Sequence, residues 1–235
     1  MSTHTVIPDG VRGVLAVVAH PDDESFGLGA LLGRLAEAGV PTAVLCFTHG
    51  EASTLRAVPG DPHAVRSHEL ECAAAELGVE TVRLSNHPDG ALSRIPLHRL
   101  VVEVERMWAA CHRPSHLLVF DPAGVTGHPD HRRATAAAML AARTTGATVL
   151  AWTVPEDVAD RLNTEFGTAF VGRPPSDCHV VTPVTRTRQS RAIACHVSQS
   201  TGNQVLWRRL ELTGDREYVR LLGGGTDHPA WATSG

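Results

Sequence analysis

A chain of 235 residues with 43% hydrophobic and 20% charged side chains suits one large globular domain, and excludes a disordered, collagen-like or coiled-coil protein. Its net charge of −4 gives no electrostatic reason to expect nucleic acid as a partner, and no run approaches the ~18 apolar residues of a membrane helix. Aromatic residues are only 4%, so the core has to be built from Val, Leu and Ala.

Val14–Ala19 is a continuous apolar run, the mark of a strand buried on both faces. Ser25 to Glu37 carries Leu28, Leu31, Leu32 and Leu35 at helical spacing and ends at Gly39 and Pro41. Thr42–Phe47 reads as a second strand. Asp61-Pro62 caps a helix that runs to Leu77 and stops at Gly78. Thr81–Leu84 is a third strand, Leu97 to Ala110 a helix, His116–Phe120 a fourth strand, His131 to Arg143 an Ala-rich helix, and Thr148–Trp152 a fifth strand. The later pattern is weaker. It suggests a helix over Glu156–Glu165, strands over Ala169–Val171 and His179–Thr182, a helix over Thr185 to His196, and closing strands within Leu206 to Leu222. This alternation predicts an α/β, Rossmann-like fold: a mostly parallel sheet with helices on both faces. No linker divides residues 1–222, which read as one domain, and residues 223–235 read as a flexible tail.

The five cysteines are odd in number and none has C-x-x-C spacing, so neither a disulfide framework nor a Cys-based zinc site is expected. That pattern suits a reducing compartment, and with no signal-peptide pattern at the N-terminus the expected location is cytoplasmic.

The chain has 14 histidines, and His-Pro-Asp occurs at 20–22, 87–89 and 128–130. All three copies fall after the carboxyl ends of predicted strands, where open parallel sheets bind ligands. His20 and Asp23 lie three apart in a strand-to-helix turn, and His131 opens a later helix. Two imidazoles and a carboxylate suit a catalytic zinc that keeps an open position. Such a site brings the pKa of bound water to about 7. Asp22, beside Asp23, is placed to be the general base. His128 could stabilise an oxyanion or protonate a leaving amine, with Asp130 orienting it. The plainer alternative is that Asp22, Asp23 and Glu24 cap a helix, as His128–His131 would cap the next.

The string Ala19-His20-Pro21-Asp22-Asp23-Glu24 after an apolar strand resembles the hallmark of the LmbE-like, or PIG-L, zinc-dependent de-N-acetylases, and His128-Pro129-Asp130-His131-Arg132 resembles their second motif. Arg66 with Glu69-Leu70, Pro88-Asp89-Gly90, and His196 with Ser198-Gln199 resemble three weaker motifs. The resemblance implies one Zn²⁺ (Fe²⁺ suits the same ligands) and hydrolysis of an acetamide on an amino sugar. Carried over by position, His20, Asp23 and His131 hold the metal, Asp22 is the base, and His128 with Asp130 assists. Arg66, Asp89 and His196 contact substrate. The ordinary alternatives are a helix salt bridge for Arg66, a turn residue for Asp89 and a core histidine for His196. In some members a Tyr precedes the second motif, where this chain has Thr126 and Gly127.

Gly27, Gly29 and Gly33 do not make a dinucleotide fingerprint, because the spacing is one residue too long and no acid ends the second strand. With the family resemblance, the expected function is metal-dependent removal of an N-acetyl or other N-acyl group from an amino sugar or sugar-containing natural product. The expected partner is a small N-acylated molecule, with no nucleic acid and no membrane insertion; homo-oligomerisation is left open. The alternatives are an amidase acting on a sugar-linked thiol conjugate and a non-catalytic metal-binding protein of the same fold.

Overall fold

The computed structural model describes residues 10–53 and 60–223. Of the expected tail, all but Gly223 lies outside the described residues. The strands are β1 (Val14–Val18), β2 (Thr42–Thr48), β3 (Thr81–His87), β4 (His116–Phe120), β5 (Thr148–Thr153), β6 (Val180–Pro183) and β7 (Arg216–Leu221). They form one sheet in the order β3-β2-β1-β4-β5-β7-β6. β1 to β5 are mutually parallel, whereas β7 runs antiparallel to both β5 and β6. The fold is thus the expected α/β arrangement with an antiparallel edge.

The helices are α1 (Asp23–Phe26), α2 (Gly29–Glu37), α3 (Pro62–Leu77), α4 (Leu97–Ala110), α5 (Pro129–Thr145), α6 (Glu156–Phe166), α7 (Thr187–Cys195), α8 (Val197–Ser200) and α9 (Gln204–Thr213). They cover both faces. Val14, Ala16 and Val18 of β1 pack with Leu28, Leu32, Leu70, Leu77 and Ala192 from α2, α3, α7 and the residue before α2. Leu15 and Val17 pack on the other side with Leu100, Val104, Ala134, Ala138 and Ala141 from α4 and α5. This two-sided burial is why β1 has no polar alternation. No helix of the described residues is long and apolar enough to cross a membrane.

Three expectations change. The first helix is broken at Gly27-Leu28, where a Cβ on Gly27 would stand 2.6 Å from the Phe120 ring. The carbonyls exposed by that break accept from Gln189 Nε2, at 3.0 Å for Ser25 and 3.1 Å for Phe26. Residues 169–171 are an extended connection rather than a strand, although Val171 donates to the Val125 carbonyl at 2.7 Å. Residues 206–213 are helical, because Leu206 and Leu210, four apart, bury together against Ile193 and Phe26.

Cysteine pairing also differs from expectation. Cys72 of α3 and Cys195 of α7 are joined in a disulfide across 123 residues, and Cys46, Cys111 and Cys178 are free.

Candidate active site

The sheet order reverses between β1 and β4, and their carboxyl ends open into a cavity of about 680 Å³. His20, Asp22, Asp23, Arg66, Asp89, His128 and His131 all line it. His20, Asp23 and His131 come together at its base. His131 Nε2 is 3.1 Å from Asp23 Oδ1 and 3.2 Å from His20 Nδ1, and His20 Nδ1 is 3.6 Å from Asp23 Oδ2. A tetrahedral ion with ligand bonds of about 2.0–2.2 Å spaces its donors by about 3.3–3.6 Å; the contacts here run from 3.1 to 3.6 Å, with Asp23 facing His131 through Oδ1 and His20 through Oδ2, close to that spacing and chemically suited to zinc.

The back of each donor is secured. His131 Nδ1 lies 3.1 Å from the Gly124 carbonyl, which places its proton there and leaves Nε2 a lone pair. His20 Nε2 is 3.0 Å from Asp89 Oδ1, leaving Nδ1 for the centre. Asp23 Oδ2 accepts from the Ala19 and His20 amides at 3.1 and 3.0 Å. Burial opposes the charge on Asp23, but the two histidines outweigh it and hold the carboxyl well below the usual range. Two further donor groups share His20, one with His128 and His131 and one with Asp89 and Asp130. Asp89 and Asp130 also bind loop amides. Asp89 accepts from Ala52 N at 2.9 Å, and Asp130 from Gly90 N and Leu92 N at 2.8 and 3.1 Å.

Asp22 is not a side-chain helix cap. Its backbone sits at φ 112°, a region costly for a residue with a Cβ. The Asp22 amide donates to Glu24 Oε2 at 2.9 Å, and Arg66 Nη2 donates to Asp22 Oδ2 at 3.0 Å and to the Pro21 carbonyl. Burial raises the Asp22 pKa against the pull of Arg66. Arg66 needs a close approach to the loop after β2, since a Cβ on Gly50 would meet its Nη2 at 2.7 Å.

His128 is the N-cap of α5, and its Nδ1 accepts from the Asp130 amide at 3.2 Å. The ring proton therefore sits on Nε2. The Asp130 carboxylate does not orient this ring, as the sequence suggested; it ties down the loop that carries Asp89. His196 does not reach the cavity. It is wholly buried, with Nε2 2.6 Å from Glu24 Oε1. Burial would lower its pKa, but Glu24 raises it. Arg66 is engaged as an ion-pair residue with Asp22 and, at 3.5 Å, Glu69.

Glu24, Glu69 and Ser198 were legible as motif letters without roles. Glu69 accepts from Ser198 N and Oγ at 2.7 and 2.6 Å and so ties α3 to α8. Sequence reasoning missed Phe26, Phe120, Trp152, Phe170 and Arg209, which also line the cavity. Only the strand-end rule could have pointed to Phe120 and Trp152.

A family model described as PIG-L, GlcNAc-PI de-N-acetylase, matches residues 15–142. The chain belongs to the PIG-L family. A 1D-myo-inositol 2-acetamido-2-deoxy-alpha-D-glucopyranoside deacetylase of Kineococcus radiotolerans is 33% identical over 186 residues, 64% of this chain and 51% of that protein. A diacetylchitobiose deacetylase of Thermococcus kodakarensis is 34% identical over 128 residues, covering 53% and 46%. The chain thus spans about half the length of these curated relatives. The zinc-inhibited form of teicoplanin deacetylase Orf2 superposes with a TM-score of 0.67 at 18% identity, over 92% of this chain and 100% of that one. At that identity the likeness speaks for the PIG-L fold.

Proposed function

We propose that this PIG-L member is a metal-dependent N-deacetylase of an amino sugar or a sugar-bearing conjugate. The observation that carries the reading is the set of three donors 3.1–3.6 Å apart, each held from behind, with the Asp22 carboxylate beside them. The names of the sequence relatives support an acetamido sugar as the substrate class.

His20, Asp23 and His131 would hold Zn²⁺, or Fe²⁺ on the same ligands. Bound there, the metal supplies Lewis acidity and acidifies a coordinated water. Asp22 accepts the proton of the water that attacks the amide carbonyl, a role worth about 10²–10⁴-fold. His128 offers its Nε2–H to the oxygen on which charge develops, or to the departing nitrogen. The C–N bond breaks, releasing a carboxylate, acetate for an acetamide, and the free amine. Arg66 and Glu24 fix Asp22 in its strained conformation. Asp89, which lines the cavity, is placed to accept from a sugar hydroxyl.

The test is acetate release from N-acetylated glucosamine conjugates by metal-replete protein, by the same protein after chelation, and after zinc is restored. Release that is lost and regained with zinc supports the reading. No release from any acetamido sugar by protein carrying one equivalent of metal overturns it.

A further inference from the structure

The three-donor centre shares its cavity with a group of aromatic side chains and with the polar Thr126, Thr168, Gln199 and Asn203. Phe26, Phe120 and Phe170, three of the chain's five phenylalanines, line it together with Trp152, although aromatic residues are only 4% of the chain. The rings form a path leading away from the candidate metal ligands. The Phe120 ring is 4.7 Å from that of His131, the Trp152 ring 4.9 Å from that of Phe120, and Arg209 Cζ lies over Trp152 at 5.0 Å.

Arg209 is unusual for a buried cation. It is 3% exposed and forms no ion pair among the described residues. Its Nη2 donates to the Phe26 carbonyl, but its Nη1 has no partner. Glu217, whose field reaches it, is already bound to Trp152 Nε1 at 2.7 Å and to Arg186 Nη1 at 2.6 Å. Burial pushes the Arg209 pKa down to about 10, so the guanidinium is still charged at neutral pH. An unpaired buried charge is costly, and supporting one carbonyl does not require a guanidinium.

We propose that this aromatic arm is a second binding subsite, taking an apolar substituent that ends in a carboxylate, which pairs with Arg209. The substrate class is then an N-acylated amino sugar bearing an aryl or alkyl group with a terminal carboxylate. This deepens the deacetylase reading and rests on it. A plain N-acetyl sugar leaves the arm empty. An apolar substituent gains by burial, and its carboxylate gains a charge-assisted hydrogen bond in a water-poor site.

The test uses the methyl, phenyl and 4-carboxyphenyl glycosides of N-acetylglucosamine. Acetate release gives kcat and KM for each, and calorimetry gives binding without turnover. The expected KM falls about tenfold from methyl to phenyl and about tenfold again to 4-carboxyphenyl, with smaller changes in kcat. Arg209→Met should abolish the second step and keep the first. Ala169→Trp, at an exposed position lining the cavity, should narrow the arm and abolish both, and it carries the test if Arg209→Met does not fold. A carboxylate preference that survives in Arg209→Met, or equal wild-type affinity for phenyl and 4-carboxyphenyl, overturns the subsite. Tighter calorimetric binding of 4-carboxyphenyl with no acetate release from any glycoside keeps the subsite and removes the deacetylase reading. Release from all three at one KM does the reverse.

Discussion

Arg66 Nη2 stands 3.0 Å from the carboxylate of Asp22, the residue whose backbone φ of 112° turns the chain out of β1. That conformation costs about 1–3 kcal/mol. It persists because the Asp22 amide is bound by Glu24 and the side chain by Arg66. The guanidinium also reaches the Pro21 carbonyl, so one planar fork holds two successive residues. Arg66→Lys keeps a charge but cannot span both. Its kcat should fall about 10²-fold, as small misplacements at reacting groups do, with KM changing less than threefold. A rise in KM at unchanged kcat would instead make Arg66 a substrate contact.

On the proposed function Asp22 is the base and His131 a metal ligand, and substitution separates the two roles. Asp22→Asn should keep the metal and lose about 10²–10⁴-fold in turnover. His131→Ala removes a donor whose ring is fixed by the Gly124 carbonyl, so metal content should itself fall. Elemental analysis beside acetate release distinguishes the two. Full metal content in His131→Ala would show that the ligand set is wrong.

What could be read from the sequence follows from distance along the chain. β1 to β5 and their helices carry local signals: continuous apolar strands, Asp61-Pro62 at one helix start, Gly78 and Gly146 at two helix ends. The His-Pro-Asp copies could be located because strand ends converge in a parallel sheet. In three dimensions Asp89 and Asp130 of the second and third copies both face His20 of the first, at 3.0 and 3.6 Å. The aromatic arm has no comparable signature. Its residues come from α1, β4, β5, the segment after α6, and α9, and no spacing connects them. Residues 206–213 form a helix where the sequence suggested closing strands within Leu206 to Leu222, because Leu206 and Leu210 bury together against Ile193 and Phe26 from other elements.

His196 acts through Glu24, which binds the Asp22 amide. His196→Ala leaves a wholly buried carboxylate short of its partner and should cost about 3–5 kcal/mol of unfolding free energy, measured in urea. Because no part of His196 lines the cavity, KM should stay within a few-fold while kcat drops. A KM effect alone would return His196 to the substrate surface.

The Cys72–Cys195 bond ties α3, which carries Arg66 and Glu69, to the end of α7, next to His196. On the chain-entropy model, closing a loop with this 123-residue separation is worth up to about 5 kcal/mol. Cys72→Ser should lower the urea midpoint, and reducing agent should lower the wild-type midpoint to match. Mass mapping of the non-reduced protein should find this pair joined. Equal midpoints in all three samples would show that the bond contributes nothing to stability.

Asp121, at the end of β4, binds Arg173 Nη2 at 2.6 Å, Arg220 Nη1 at 2.5 Å and the Ala123 amide at 2.9 Å. Burial would raise its pKa, but Arg173, the amide and Arg220 together pull it below the usual carboxylate value. The unfolded chain, with an ordinary pKa of about 3.9, therefore binds more protons than the fold in the window below it. The resulting stability is fully present above that value and is lost as pH falls through the lower folded value. Asp121→Asn should cost about 2–3 kcal/mol near neutral pH, less than a fully buried pair because both arginines keep some contact with solvent. It should also flatten the decline of the urea midpoint between about pH 5 and pH 3. An unchanged slope in the variant would show that the acid sensitivity lies in other carboxylates.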